Sequence, residues 1–235
     1  MRFGAFEFVP GPLPTLGAVA LVVLTVSLAN WQDARAREKR ALQALYEQRL
    51  REPAVDLAHA SPGGEDLLYR HVRAAGEYLA DAQIFIDNQV HEGRAGFLVV
   101  TPLRLAGSGE VVLVERGWIE RTPQYPAAPA VAVPPGQVAV AGIAATPPRR
   151  YLELGPETVT GNVWQNLSLE RFGAMRREKV VPYVLLADTP APGLAAVRER
   201  PDTGIERHVE YKLTWYSLAA TTLVLWLALN WRRRS

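Results

Sequence analysis

Two charge-free apolar runs stand near the ends of the chain, and almost all of the polar sequence lies between them. Leu16–Asn30 (LGAVALVVLTVSLAN) and Leu213–Trp231 (LTWYSLAATTLVLWLALNW) contain no charged residue. Each approaches the roughly 20 apolar residues that a helix needs to cross about 30 Å of hydrocarbon. Two antiparallel crossings make a hairpin that holds the intervening segment, about 180 residues, outside the bilayer. The second run carries Trp215 and Tyr216 near one end and Trp226 and Trp231 near the other, as an aromatic belt does. It stops at Arg232, Arg233 and Arg234, which favours a cytoplasmic C-terminus. Pro10, Pro12 and Pro14 precede the first run, and proline is tolerated at a helix start. Ser27-Leu28-Ala29 also fits a small-x-small cleavage signal, so a signal peptide stands as the alternative to a retained span.

Between the runs the pattern changes twice. Trp31 to Arg51 is rich in Ala, Leu, Glu, Arg and Gln, with no Gly or Pro before Pro53, which predicts a helix continuing out of the membrane. Beyond it come short runs rich in Val, Ile, Leu, Phe and Tyr, bounded by Gly, Pro, Asn and Asp. They predict strands at Leu68–Leu79, Gln83–Val90, Gly96–Leu105, Val111–Ile119, Val138–Ala144, Val163–Leu167 and Pro182–Ala187. Gly107-Ser108-Gly109 reads as a hairpin turn, and Pro123 to Gly136 as an extended excursion. A short helix is expected from Ser168 to Arg177, with Ser168 capping its start. No long helices alternate with the strands, so a mainly antiparallel sheet or a partly closed barrel is expected.

The whole is a membrane protein of α+β class. We read a tail at 1–12, a span at 13–30, its helical continuation at 31–52, a β-rich domain at 53–206, a span with its interfacial start at 207–231 and a basic tail at 232–235.

Charge and composition narrow the chemistry. Net charge is +2, and the three C-terminal arginines alone supply +3, so nothing points to nucleic acid; the partner that the spans imply is the lipid bilayer. Cysteine is absent, which excludes disulfides, thiolate metal sites and cysteine nucleophiles. His91-Glu92-Gly93 does not continue to a second histidine, Ser108 is not in a nucleophile elbow, and no phosphate-cradling or dinucleotide glycine loop occurs. His59, His71, His91 and His208 are too scattered for a local metal cluster, and no catalytic residue is assigned.

One patch is distinctive. His208, Tyr211, Lys212 and Trp215 follow i, i+3, i+4, i+7 spacing where the second run begins. Antiparallel pairing brings Trp31, Gln32 and Arg35 to the same depth. Imidazole is a common axial ligand of haem iron, and Arg35 and Lys212 could meet the carboxylates of an anionic, largely apolar ligand. An ordinary interfacial belt of aromatic and cationic side chains fits the same residues.

Several motifs resemble the Surfeit locus protein 1 family, the cytochrome c oxidase assembly factors. They are Trp31-Gln32-Asp33-Ala34-Arg35, Gly76-Glu77-Tyr78, Gly96-Phe97-Leu98-Val99-Val100-Thr101-Pro102-Leu103, Leu113-Val114-Glu115-Arg116-Gly117-Trp118, Asn162-Val163-Trp164-Gln165, Pro182-Tyr183-Val184-Leu185-Leu186 and His208 to Tyr216. They run in order over nearly the whole chain. The resemblance implies a non-enzymatic, multi-pass protein of the bacterial inner membrane, with a periplasmic domain and both termini cytoplasmic. It implies transient binding of haem a and help in its insertion into oxidase subunit I, with subunit I and haem a synthase as partners. The family's second-span histidine maps onto His208 as axial ligand, with Trp31, Gln32, Arg35, Tyr211, Lys212 and Trp215 in support. Arg116, Gly117 and Trp118 are read as structural. The alternative is a scaffold that grips oxidase subunits and never touches cofactor.

Overall fold

Proline opens the first helix, where a missing N–H breaks no bond, and proline follows its end. In the computed structural model, which describes residues 2–3, 6–57, 65–147, 159–196 and 204–233, that helix runs unbroken through the apolar run and its polar continuation. His59 and Arg234 lie outside the described residues. In chain order the elements are β1 (Arg2–Phe3), β2 (Phe6–Phe8), α1 (Pro12–Arg51), β3 (Val55–Asp56), β4 (His71–Tyr78), β5 (Ile84–His91), β6 (Arg94–Leu105), β7 (Val111–Glu120), β8 (Gln137–Ala145), β9 (Val159–Thr160), β10 (Val163–Trp164), α2 (Leu169–Arg176), β11 (Val180–Ala187), α3 (Ile205–Asn230) and β12 (Trp231–Arg233). They form two compact units, residues 1–45 with 200–235, and residues 46–199.

In the first unit α1 and α3 run antiparallel along facing stripes. On α1 the facing stripe includes Thr15, Ala18, Val22, Thr25, Ala29, Gln32 and Ala36; on α3 it includes His208, Lys212, Trp215, Ala219, Thr222, Trp226 and Asn230. Steps of three and four residues keep a seam on one side of a helix. Small residues on the seam suit helices packing where lipid supplies no hydrophobic drive between them. Polar rungs tie the seam. Gly11 N donates to Asn230 Oδ1 at 3.3 Å, Trp226 Nε1 to Thr15 Oγ1 at 3.1 Å, and Tyr216 OH to Asn30 Oδ1 at 2.7 Å. Most other apolar side chains of both helices face outward, Val23 and Leu229 among them. Both helices are long and apolar enough to span a bilayer. At one end of the pair β2 lies between β1 and β12, antiparallel to both.

The second unit is a sheet of nine strands in the order β3-β4-β8-β11-β7-β6-β5-β10-β9, with an added pairing of β4 to β6. That pairing closes β4, β8, β11, β7 and β6 into a partial five-stranded barrel. Two strands are shared to achieve it. The start of β4 pairs with β3, and Gly76–Tyr78 pair with Leu105–Leu103 of β6. The first half of β6 pairs with β5. Around the barrel every pairing is antiparallel except β7 with β11.

The run VVLV of β7 shows why these strands read as continuously apolar. Val112 and Val114 pack in the cluster holding Val72, Leu103, Tyr183 and Leu185, while Val111 and Leu113 pack with Ile84, Leu98, Trp164 and Phe172. Both faces are buried, so hydrophobicity does not alternate.

Most predicted strands form, with differences at their ends. The expected strand from Leu68 starts only at His71, because Glu65–Leu67 forms a short 3-10 turn and Tyr69 takes φ +67°. The expected strand to Leu167 ends at Trp164. The predicted short helix is α2, with Ser168 Oγ accepting from Arg171 N at 3.2 Å and Arg177 left-handed at its end.

Candidate functional site

The interfacial patch begins with the first turn of α3. His208 points into the seam, and its Nδ1 lies 2.6 Å from Gln32 Oε1 on α1. A carboxamide oxygen can only accept, so Nδ1 carries a proton, and in the neutral ring the lone pair then sits on Nε2. One turn further, Lys212 Nζ donates to Asp33 Oδ1 at 3.0 Å, and Arg37 pairs with the other oxygen of the same carboxylate at 3.0 Å. Trp215 follows on the same stripe, half-buried.

Not all of the predicted constellation converges. Helical spacing puts Tyr211 at the edge of the seam, and it stands 57% exposed; Trp31 is 52% exposed. Arg35 bonds to Glu38 at 2.8 Å, one turn along its own helix, with its guanidinium 6.0 Å from the Trp31 ring. The structure therefore gathers His208, Gln32, Lys212 and Trp215, and leaves Trp31, Arg35 and Tyr211 on outward faces. It also corrects the expectation of two cations waiting for a ligand, since both are paired within the chain. Asp33 is the member that sequence reasoning missed. Its signal was a lone acid beside Gln32, at the depth of Lys212.

The second group of predicted residues lies in the sheet domain. Val99 pairs with Gly117 and Val100 with Glu115, so Arg116 is an extra residue in β7, a bulge. Its side chain is buried, 4% exposed, and among the described residues its acceptors are all neutral: Gln83 Oε1 at 3.1 Å, Thr101 Oγ1 at 3.3 Å and Ala132 O at 2.9 Å. The guanidinium carbon sits 5.2 Å from the centre of the Tyr78 ring. Burial pulls the Arg116 pKa down, an effect that the Tyr78 charge opposes. Burial pushes the Tyr78 phenol up, against the pull of Arg116.

Gly117 takes φ +134°, and a Cβ there would lie 2.8 Å from Ala195 O and from Leu194 Cβ. Trp118 is buried, donates Nε1–H to Gln89 O at 3.0 Å, and lies against Gly96, where a Cβ would come within 2.4 Å of the indole. Among the described residues no group of three or more His, Asp or Glu side chains gathers as a metal site.

A sheet-rich domain between two apolar helices defines a membrane protein of α+β class. The model of the SURF1 family matches residues 19–220, and the chain belongs to that family. A SURF1-like protein of Monosiga brevicollis is 29% identical over 90% of this chain and 85% of its own length. One from Rickettsia bellii (strain RML369-C) is 26% identical over 87% and 85%. The cytochrome oxidase assembly protein SHY1 of Saccharomyces cerevisiae (strain ATCC 204508 / S288c) is 31% identical over 43% of this chain and 26% of its own.

Proposed function

We propose that this protein is an assembly factor for haem–copper (cytochrome c) oxidase, and that His208 carries haem a as cargo toward subunit I. The assembly role is supported by family membership and by the name of the yeast relative. The haem reading is supported above all by the bond from His208 Nδ1 to Gln32 Oε1. A histidine that ligates a metal through one nitrogen typically donates its other N–H to a fixed acceptor, which sets tautomer and ring orientation. Gln32 Oε1 is that acceptor, which leaves Nε2 as the nitrogen that would meet iron.

The surroundings fit such a cargo. Trp31 and Tyr211 offer exposed aromatic faces to an apolar macrocycle. The Arg35–Glu38 pair is exposed, and such pairs contribute about 0–1 kcal/mol, so Arg35 can exchange its partner for a cargo carboxylate at little cost. A single neutral imidazole is a ligand that can let go, as handover requires. Subunit I and haem a synthase are the partners this reading names. The membrane would be the bacterial inner membrane, with the sheet domain periplasmic and both termini cytoplasmic.

The test is the absorption spectrum of protein purified from cells that make haem a. Wild type is expected to retain haem, His208→Ala to lose at least nine-tenths of it, and Gln32→Leu to bind about 10–100-fold more weakly. A haem-free wild type, or equal haem in His208→Ala, would refute the carrier role. Copurification with oxidase subunits in either case would identify a scaffold instead.

A further inference from the structure

The sheet domain contains a buried cation that no carboxylate among the described residues pairs with. Arg116 is almost fully enclosed, and no carboxylate among the described residues lies within ion-pair distance of it. Buried charges are normally paired, because neutral acceptors replace only part of the lost hydration. Among the described residues its guanidinium makes three hydrogen bonds, two from Nη1 and one from Nη2, fewer than its five N–H groups can make.

Arg116 also lines a cavity of about 430 Å³ beside the end of the barrel, where β4 stops at Tyr78, β8 begins and β11 gives way to Asp188. That volume falls within the ~300–1,000 Å³ of small-molecule sites, and barrel mouths are places where such sites occur. The bulge is the device that supplies the cation: one extra residue in β7 re-aims a side chain beside the cavity. The walls are mostly apolar, made by Val138, Val140, Ala187 and the Tyr78 ring. Asp188, 41% exposed and 3.7 Å from His71, puts a negative charge on the rim. A dianion would be repelled there, whereas a monoanion can reach the guanidinium with its charge and the walls with its hydrocarbon.

We propose that this cavity binds a small apolar monocarboxylate, its carboxylate on Arg116 and its hydrocarbon tail against β8. The proposal is independent of the haem reading, which concerns the helical unit. It assigns Arg116 a binding role in addition to the structural one read from its motif.

The test uses the full chain in nanodiscs of zwitterionic lipid, titrated calorimetrically with hexanoate, hexanamide and inorganic phosphate, with empty nanodiscs subtracted. Hexanoate is expected to bind saturably and at least tenfold more tightly than either control. Arg116→Lys keeps the charge but loses the planar fork and should weaken hexanoate about tenfold. Val138→Phe, on the face of β8 that lines the cavity, fills it while leaving Arg116 in place and should abolish binding, so the proposal stays testable should Arg116→Lys fail to fold. Absence of saturable hexanoate binding to wild type would overturn it. So would hexanamide binding equally well, phosphate displacing hexanoate at equal concentration, or undiminished binding to Val138→Phe.

Discussion

Gly117 shows how much one residue can decide. Its φ of +134° lies where side chains are strained, and the space for a Cβ is already taken by Ala195 O and Leu194. The same backbone stretch holds the bulge at Arg116 and the paired bonds between Trp118 and Ala195, 2.8 Å each way. Gly117→Ala should therefore destabilise the sheet domain by about 3 kcal/mol, read as a lower urea midpoint. A loss below about 0.5 kcal/mol would mean that the backbone relaxes freely.

Tyr183 predicts the opposite sign. It is fully buried on β11, and its hydroxyl meets no partner among the described residues. Leaving such a group unsatisfied costs about 1–3 kcal/mol, so Tyr183→Phe should raise stability by about 1 kcal/mol. Burial, helped by the charge of Glu110, pushes its pKa from 10.0 to about 12. Above pH 10 the unfolded chain releases a proton that the folded chain still holds. Wild type should thus lose stability between pH 10 and about 12, and Tyr183→Phe should lose less over that window, as urea titrations at each pH would record.

At the scale of elements, legibility followed burial. The apolar runs of β6 and β7 announced strands because both faces of each are buried, and Ser168 announced the start of α2 because a cap must accept an N–H. The parallel pairing of β7 with β11, the sharing of β4 and β6 that closes the barrel, and the bulge at Arg116 were not legible. They depend on which strands meet across the fold, and no local pattern encodes that.

The same holds for Arg104, a charge among many until β6 brings it to Glu178, where two bonds form at 3.1 and 2.6 Å. The hydrogen bond from Arg104, aided by its charge, holds the Glu178 carboxyl below its ordinary value of 4.5. Because the folded-state pKa is depressed, the contribution is present above about pH 4.5 and is lost as pH falls through the lower folded value. The urea midpoints of wild type and Glu178→Gln should differ at pH 7 and converge toward pH 3. A gap that persists at pH 3 would assign the effect to packing rather than charge.

At the scale of the molecule, the candidate site was half legible. The period of α3 correctly put His208, Lys212 and Trp215 on one stripe, and antiparallel pairing brought Gln32 to meet it. Trp31 and Arg35 were misplaced because the seam on α1 runs through Ala29, Gln32, Asp33 and Ala36, while Trp31 and Arg35 lie on the outward side. The small residues on either side of Gln32 were the available clue.

The seam also constrains topology. Its bonds extend from Gly11–Asn230 through Thr15–Trp226 and Asn30–Tyr216 to Gln32–His208, so both ends of the chain must lie on one side of a bilayer that the pair crosses. Arg232 to Arg234 then favour the cytoplasm for both, while the basic cluster after the first span, Arg35 to Arg40, argues the other way. Charge near a long translocated segment weighs little, so the C-terminal arginines should prevail. A topology reporter fused at the C-terminus should read cytoplasmic, and one inserted in the Gly107–Gly109 turn should read the opposite side. A cytoplasmic reading from the turn would reverse the protein in its membrane and overturn the proposed periplasmic placement, and with it the proposed delivery of haem from that side.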